Sequence, residues 1–223
     1  MSARVWREVG KLVSAAVVAI LALALFAPAS AQQSPARLNY EYQLIVPPQP
    51  TPTAERIEVI EFFWYGCPYC NQLQPSLEAW LKRKPQDVDL RRIPAIFRES
   101  WVPHARLFYT VEALGELDRL HQAVYRAYHI EGQNPNTADS SADWASHHGI
   151  DRARWLAAYN APETTRKVAL AAQQTRNYGI QGTPSLVVDG RYLTSTGMSE
   201  TVPGVIAILD DLIAVVREQR RRK

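Results

Sequence analysis

The chain is poor in cysteine, with two in 223 residues. That scarcity excludes a disulfide-dense secreted scaffold, and two thiols by themselves cannot fill a four-cysteine zinc site or hold an iron–sulfur cluster. Charge of one dominant sign is missing too. The formal net charge is +3, and residues 1–31 hold three of the 25 basic and one of the 22 acidic side chains, leaving 22 against 21 in the remainder. A balance so near zero exerts no global pull toward nucleic acid. No internal repeat is visible. With 47% hydrophobic and 21% charged residues, disordered, collagen-like and coiled-coil classes give way to ordinary globular material of one or two domains.

Long apolar runs are equally scarce, with one exception. Arg4, Arg7 and Lys11 stand against a single Glu8, and Leu12 through Phe26 follow as fifteen residues without a charge. A basic segment, an apolar segment and the small residues Ala29-Ser30-Ala31 are the three parts of a secretory signal peptide, so residues 1–31 are read as one, cleaved after Ala31. An uncleaved anchor is the competing reading, against which the run falls short of the ~20 residues of a membrane helix and stops before Pro28. No cysteine follows the run, which excludes lipid attachment there, and Arg4 and Arg7 are not adjacent, which favours the general secretory route over twin-arginine export. The expected destination is a bacterial periplasm.

From Gln32 to about Ala54 the chain is polar and proline-rich, and only Tyr40 to Val46 suits a short edge strand, where proline is tolerated. Ile57 to Phe63 is a β-branched and aromatic run that reads as a largely buried strand. A helix is expected from Pro68 to about Lys84, with Leu73, Leu77, Trp80 and Leu81 on one face, and then a strand from Val88 to Phe97. Residues 99–161 read as separate short helices broken by the polar stretch Gln133 to Ser141, with Trp144 and Trp155 as core residues and Asp151 as a helix cap. A helix from Thr164 to Tyr178 precedes strands at Ser185–Val188 and Arg191–Thr194 around a two-residue Asp189-Gly190 loop. Val202 to Val216 closes the series as an amphipathic helix, and residues 217–223 read as a basic tail, in which Arg220 to Lys223 are read as solvated in preference to touching anionic lipid or a partner. The order predicts a mixed α/β sheet in two parts, residues 32–98 and 162–216, interrupted by a helical insertion over 99–161.

Both cysteines, Cys67 and Cys70, fall where the buried strand gives way to the first turn of a helix. A thiolate there faces unpaired amides and the positive end of the helix dipole, which lowers its pKa and makes Cys67 the expected nucleophile. Cys70 lies one turn on and on the same face, placed to close a disulfide with Cys67 and release a mixed-disulfide partner. A purely structural bridge competes weakly, because so short a loop restrains the unfolded chain little. Zinc needs two more ligands, and His104, His121, His129, His147 and His148 show no finger-like spacing, so neither metal nor other cofactor is expected. Covalent haem attachment is excluded, since Asn71 rather than histidine follows Cys70. A second element, Gly182-Thr183-Pro184 directly before a strand, is a candidate cis peptide bond.

Taken together, Glu61-Phe62-Phe63-Trp64-Tyr65-Gly66-Cys67-Pro68-Tyr69-Cys70, the helical insertion and Gly182-Thr183-Pro184 before a hairpin resemble the thioredoxin-fold thiol-disulfide oxidoreductases of the DsbA family. The resemblance spans about residues 40–216 and implies an α/β thioredoxin fold with a helical insertion. It implies that Cys67 attacks, Cys70 resolves, and a cis Thr183-Pro184 bond presents backbone to the substrate strand, with Pro68 and Tyr69 also in substrate contact. Glu61 matches an acidic residue that the family keeps under the active site, where it would serve proton transfer at Cys70 or tune the cysteines. A half-exposed strand glutamate is the alternative, since a carboxylate in so apolar a run must be hydrated, paired or protonated. One departure stands out: the family usually has Pro-His between its cysteines, and Tyr69 cannot supply an imidazole's charge.

The implied activity is a periplasmic dithiol oxidase that passes its disulfide to reduced, unfolded exported proteins and is reoxidised by a DsbB-type inner-membrane partner. Trp64 and Tyr65 are expected to offer apolar surface to such clients. A reductase or isomerase would use the same cysteines in reverse. A non-redox peptide-binding chaperone would use the groove alone, and the retention of both cysteines argues against it.

Overall fold

The computed structural model describes residue 37, residues 40–52 and residues 55–222, so the signal peptide expected over 1–31, its cleavage point and Lys223 lie outside the described residues. Its sheet grows from β2 (Ile57–Phe63), whose seven residues are all buried. The run can be so apolar because both its edges are occupied: β3 (Val88–Pro94) pairs with it in parallel and β4 (Ser185–Val188) antiparallel. With β5 (Tyr192–Ser195) and the two-residue β1 (Gln43–Leu44), the strand order is β1-β5-β4-β2-β3. The strand expected to reach Phe97 stops at Pro94, because Pro94 pairs with Phe63, the last residue of β2.

The hairpin differs from the two-residue loop expected. Asp189 and Gly190 both adopt positive φ, 55° and 64°, and Arg191 closes the turn by donating to the Val188 carbonyl. Val188 nevertheless pairs with Tyr192, because the Arg191 carbonyl is turned to the Ile45 amide beside β1, leaving a three-residue loop. Gly190 is required twice over: its φ disfavours a side chain, and a Cβ there would stand 2.1 Å from the Gln49 carbonyl oxygen.

Seven α-helices lie among the described residues. α1 (Pro68–Arg83) and α7 (Val205–Arg221) cover one side of the sheet, where Leu73, Leu77 and Trp80 meet Val59, Leu186, Leu209 and Leu212. The second core holds Ile60, Phe62, Phe63 and both cysteines with the helical insertion. That insertion comprises α2 (Val102–Ala113), α3 (Leu117–His129), α4 (Ala138–His147) and α5 (Arg152–Tyr159), and α6 (Pro162–Asn177) leads back to β4. Asp151 caps α5 as expected, accepting from the Arg154 amide. The polar stretch read as a break runs into α4 instead, because Thr137 and Ser140 form a reciprocal capping box.

The reading of 217–223 as a basic tail is corrected in part: Arg221 and Arg222 are exposed, as a solvated end would be, but the residues before them are helical and paired. α7 continues through the segment to Arg221, since Arg217 pairs with Asp87 at 2.8 Å and Arg220 with Asp189. Trp155 ties the insertion together: it is fully buried, and its indole donates to Ser141 Oγ at 3.0 Å. Trp155→Ala is therefore expected to cost ~3–5 kcal/mol through the cavity it leaves, measured by urea denaturation of the disulfide form.

Candidate active site

β2 delivers the chain to the site. After Phe63 the backbone turns through Trp64, Tyr65 and Gly66, and the Cys67 amide donates to the Trp64 carbonyl at 3.0 Å. Gly66 is needed at this turn, because a Cβ would lie 2.3 Å from the Trp64 ring. Cys67 is then the N-cap of α1 (φ −86°, ψ 118°), and Pro68 opens the helix where its missing amide hydrogen costs nothing. The Cys67 sulfur accepts from the Cys70 amide at 3.4 Å, the side-chain capping bond that Ser or Asp makes elsewhere.

The two thiols, both free, have unlike environments. Hydrogen bonds from the Cys70 thiol first, then from Thr183 and from the amides of Cys70 and Tyr69, hold the Cys67 pKa down to about 6 against the opposing effect of burial. Cys70 is fully buried, and burial followed by the neighbouring Cys67 pushes its thiol well above the ordinary value. As a thiol, Cys67 also donates to the Thr183 carbonyl at 3.2 Å, and the Thr183–Pro184 bond is cis. The loop and the helix start thus meet at one sulfur.

Beside them runs a groove of about 510 Å³ lined by Tyr69, Gly182, Thr183, Pro184, Leu193 and Met198, among others. Tyr69 is exposed on it, whereas Tyr65 is not the surface residue expected. Tyr65 is completely buried, ringed by Phe63, Tyr125 and His121, with its hydroxyl 2.9 Å from His121 Nδ1. Its carbonyl is 2.7 Å from His129 Nε2, so α3 holds the turn before Cys67 at two points.

Glu61 is not the half-exposed strand residue of the alternative reading; no part of it reaches solvent. Its carboxylate accepts from Gln74 of α1 at 2.9 Å and from Arg92 of β3 at 3.0 Å, and Arg92 goes on to the half-exposed Glu78 at 2.7 Å. Burial raises the Glu61 pKa, with Arg92 opposing it. Its charge is also among the influences that raise Cys70. Arg92, Gln74 and Glu78 went unrecognised in the sequence, although Arg91-Arg92 between Leu90 and Ile93 in an expected strand was a visible signal that acids needed partners there. Glu58, on the opposite face of β2, takes the other of these arginines at 2.8 Å.

A family model for the DSBA-like thioredoxin domain matches residues 92–205. The thiol:disulfide interchange protein DsbA of Burkholderia cepacia is 35% identical over 193 residues, covering 85% of this chain and 91% of that protein. DsbA of Azotobacter vinelandii is 35% identical, covering 91% and 96%. Among solved structures, Pseudomonas aeruginosa DsbA superimposes with a TM-score of 0.79 at 32% identity, over 83% of this chain and 97% of that one.

The depressed Cys67 pKa makes the stability of the reduced form pH-dependent. An acid whose folded pKa is about 6 against an ordinary 9.0 contributes stability that is full above the unfolded value and lost as pH falls through about 6. The reduced form should therefore gain stability relative to the disulfide form, which has no thiol to titrate, as pH rises from about 6 toward 9.0. Paired urea titrations across that window check this, and a flat difference contradicts it.

Proposed function

The chain belongs to the DsbA family of thioredoxin-fold thiol:disulfide oxidoreductases, and from that premise we propose that it works in the periplasm as a donor of disulfides to reduced, unfolded exported proteins. The carrying observation is the split between the two thiols, one stabilised as a thiolate and the other held protonated. In the oxidised chain, a client thiolate attacks the Cys67 sulfur, a client–Cys67 bond forms, and the Cys67–Cys70 bond breaks. Cys70 leaves carrying the electron pair and takes up a proton. A second client thiolate then attacks the client sulfur of the mixed disulfide, so that the client leaves oxidised and Cys67 departs as a thiolate. The lower its pKa, the faster this last departure and the more favourable the whole transfer.

Glu61 is proposed as the proton source for Cys70, a role suited to a buried carboxyl whose proton affinity burial raises. Thr183, Pro184, Pro68 and Tyr69 are proposed to hold the client, the first two by offering backbone beside the groove to an extended strand and the second pair by flanking the attacked sulfur. Export by the signal peptide at 1–31 and reoxidation by a DsbB-type inner-membrane partner complete the cycle.

The test is transfer to a reduced, unfolded multi-cysteine protein. The oxidised chain should yield a client with disulfides and leave its own pair reduced. Cys67→Ser should abolish transfer. Cys70→Ser, which can form no disulfide of its own, should also oxidise nothing, yet it should accumulate a mixed disulfide through Cys67 with a client that already carries a disulfide, the client's other sulfur leaving as a thiolate. A chain that binds the client equally well but oxidises nothing is a chaperone, and the proposal fails.

A further inference from the structure

The groove beside Thr183 and Pro184 accounts for one approach to Cys67. A second cleft of about 460 Å³ is lined by Trp64, Gly66, Pro68, His104 and Tyr128, together with residues of the 132–136 loop such as Asn134. The two share no lining residue, and the dipeptide between the cysteines is divided between them: Tyr69 lines the first, Pro68 the second. Gly66 and Pro68 are the chain neighbours of Cys67, so a client joined to that sulfur has one flank beside each cleft.

Residues that line the second cleft hold unmet polar groups just beneath its surface. Trp64 Nε1, His104 Nδ1 and the Tyr128 hydroxyl are buried without a hydrogen-bond partner among the described residues, and such atoms are rare because leaving them unmade is costly. Trp64 stacks on Trp101 with centroids 4.1 Å apart, and His104 stacks on Tyr128 at 4.6 Å. An indole N–H can only donate, and a phenol has a hydrogen to give. Burial holds His104 down to about 4, so its imidazole is neutral at neutral pH. No charged carboxylate lines the cleft; its other polar side chains are His129, already engaged by the Tyr65 carbonyl, and the amides of Gln133, Asn134 and Asn136.

We propose that this cleft is a second client subsite, which takes a side chain ending in a planar oxygen acceptor, a carboxamide or carboxylate, from a residue close to the client cysteine. The inference rests on the reading of Cys67 as the thiol that joins the client. Neighbouring residues of an extended client rise ~3.3 Å each, so those within a few positions of the cysteine come alongside the walls. The donors are then satisfied in the client complex, and the selection falls on sequence around the cysteine rather than on the cysteine alone.

The test uses the Cys70→Ser form and peptides whose single cysteine is capped as a disulfide with 2-nitro-5-thiobenzoate. The Cys67 thiolate attacks the peptide sulfur, the peptide–Cys67 bond forms, and the coloured thiolate leaves with the electron pair. Asn, Asp or Leu is placed singly at each position within three residues of the cysteine in an otherwise alanine peptide. Asn or Asp at one or more positions should speed release about three- to tenfold over Ala and Leu, the range one net hydrogen bond supplies. Whichever of the two is faster tells carboxamide from carboxylate. That ratio should collapse toward one in Tyr128→Phe, and shrink in Asn134→Ala, an exposed loop change that spares the aromatic stack. Acceptor preference at no position, or a preference undiminished in both variants, overturns the subsite while leaving Cys67 as the joining thiol. An all-alanine peptide that releases nothing overturns the reading of Cys67 and the subsite together.

Discussion

One negative sulfur at the head of α1 is the constraint around which the rest is arranged. A thiolate is stable there only if donors converge on it, and the N-cap position supplies them without any charged side chain: the Cys70 amide and thiol, the Tyr69 amide and Thr183. β2 must end where the helix begins, Gly66 must leave room for Trp64, and the cis Thr183–Pro184 loop must arrive from a strand more than a hundred residues away. The absence of histidine between the cysteines matters less than it first suggests. Backbone amides do not depend on the identity of residue 69, and the Cys67 pKa falls to about 6 with Tyr69 in that place.

The partner thiol poses the opposite problem, solved by burial. Cys70 sits in the core that the sheet shares with the insertion, above a buried carboxylate whose charge further disfavours ionisation. Glu61 in turn is kept from being an uncompensated charge by Arg92, which Glu78 connects toward solvent. The gradient from an ionisable, groove-facing sulfur to a protonated, interior one runs over a single helical turn. The insertion contributes from the other direction, since two histidines of α3 hold the Tyr65 carbonyl and hydroxyl immediately before the nucleophile.

What was legible in the sequence was local. The β-branched run of β2, proline at the first helical position, two cysteines one turn apart, and Gly182-Thr183-Pro184 before a strand each carry their meaning within a few residues. What stayed hidden depended on which elements meet in space. Nothing near Glu61 in the chain announces Arg92, thirty-one residues on, or that β2 would be paired on both edges and so bury the carboxylate completely. The basic C-terminal residues look like a tail until Asp87 and Asp189 are seen opposite them. Tyr65 looks like client-facing surface until α3 covers it.

The central claim is that stabilising Cys67 as a thiolate makes the reduced form the favoured one, so that giving away the disulfide runs downhill. The direct measurement is the equilibrium of the Cys67–Cys70 disulfide against a glutathione redox buffer, followed by tryptophan fluorescence because Trp64 lies three residues from Cys67. A couple more oxidising than glutathione is the predicted result. A thioredoxin-like, reducing couple would contradict it, and would mean that the donors around Cys67 do not favour the reduced state enough to drive disulfide donation.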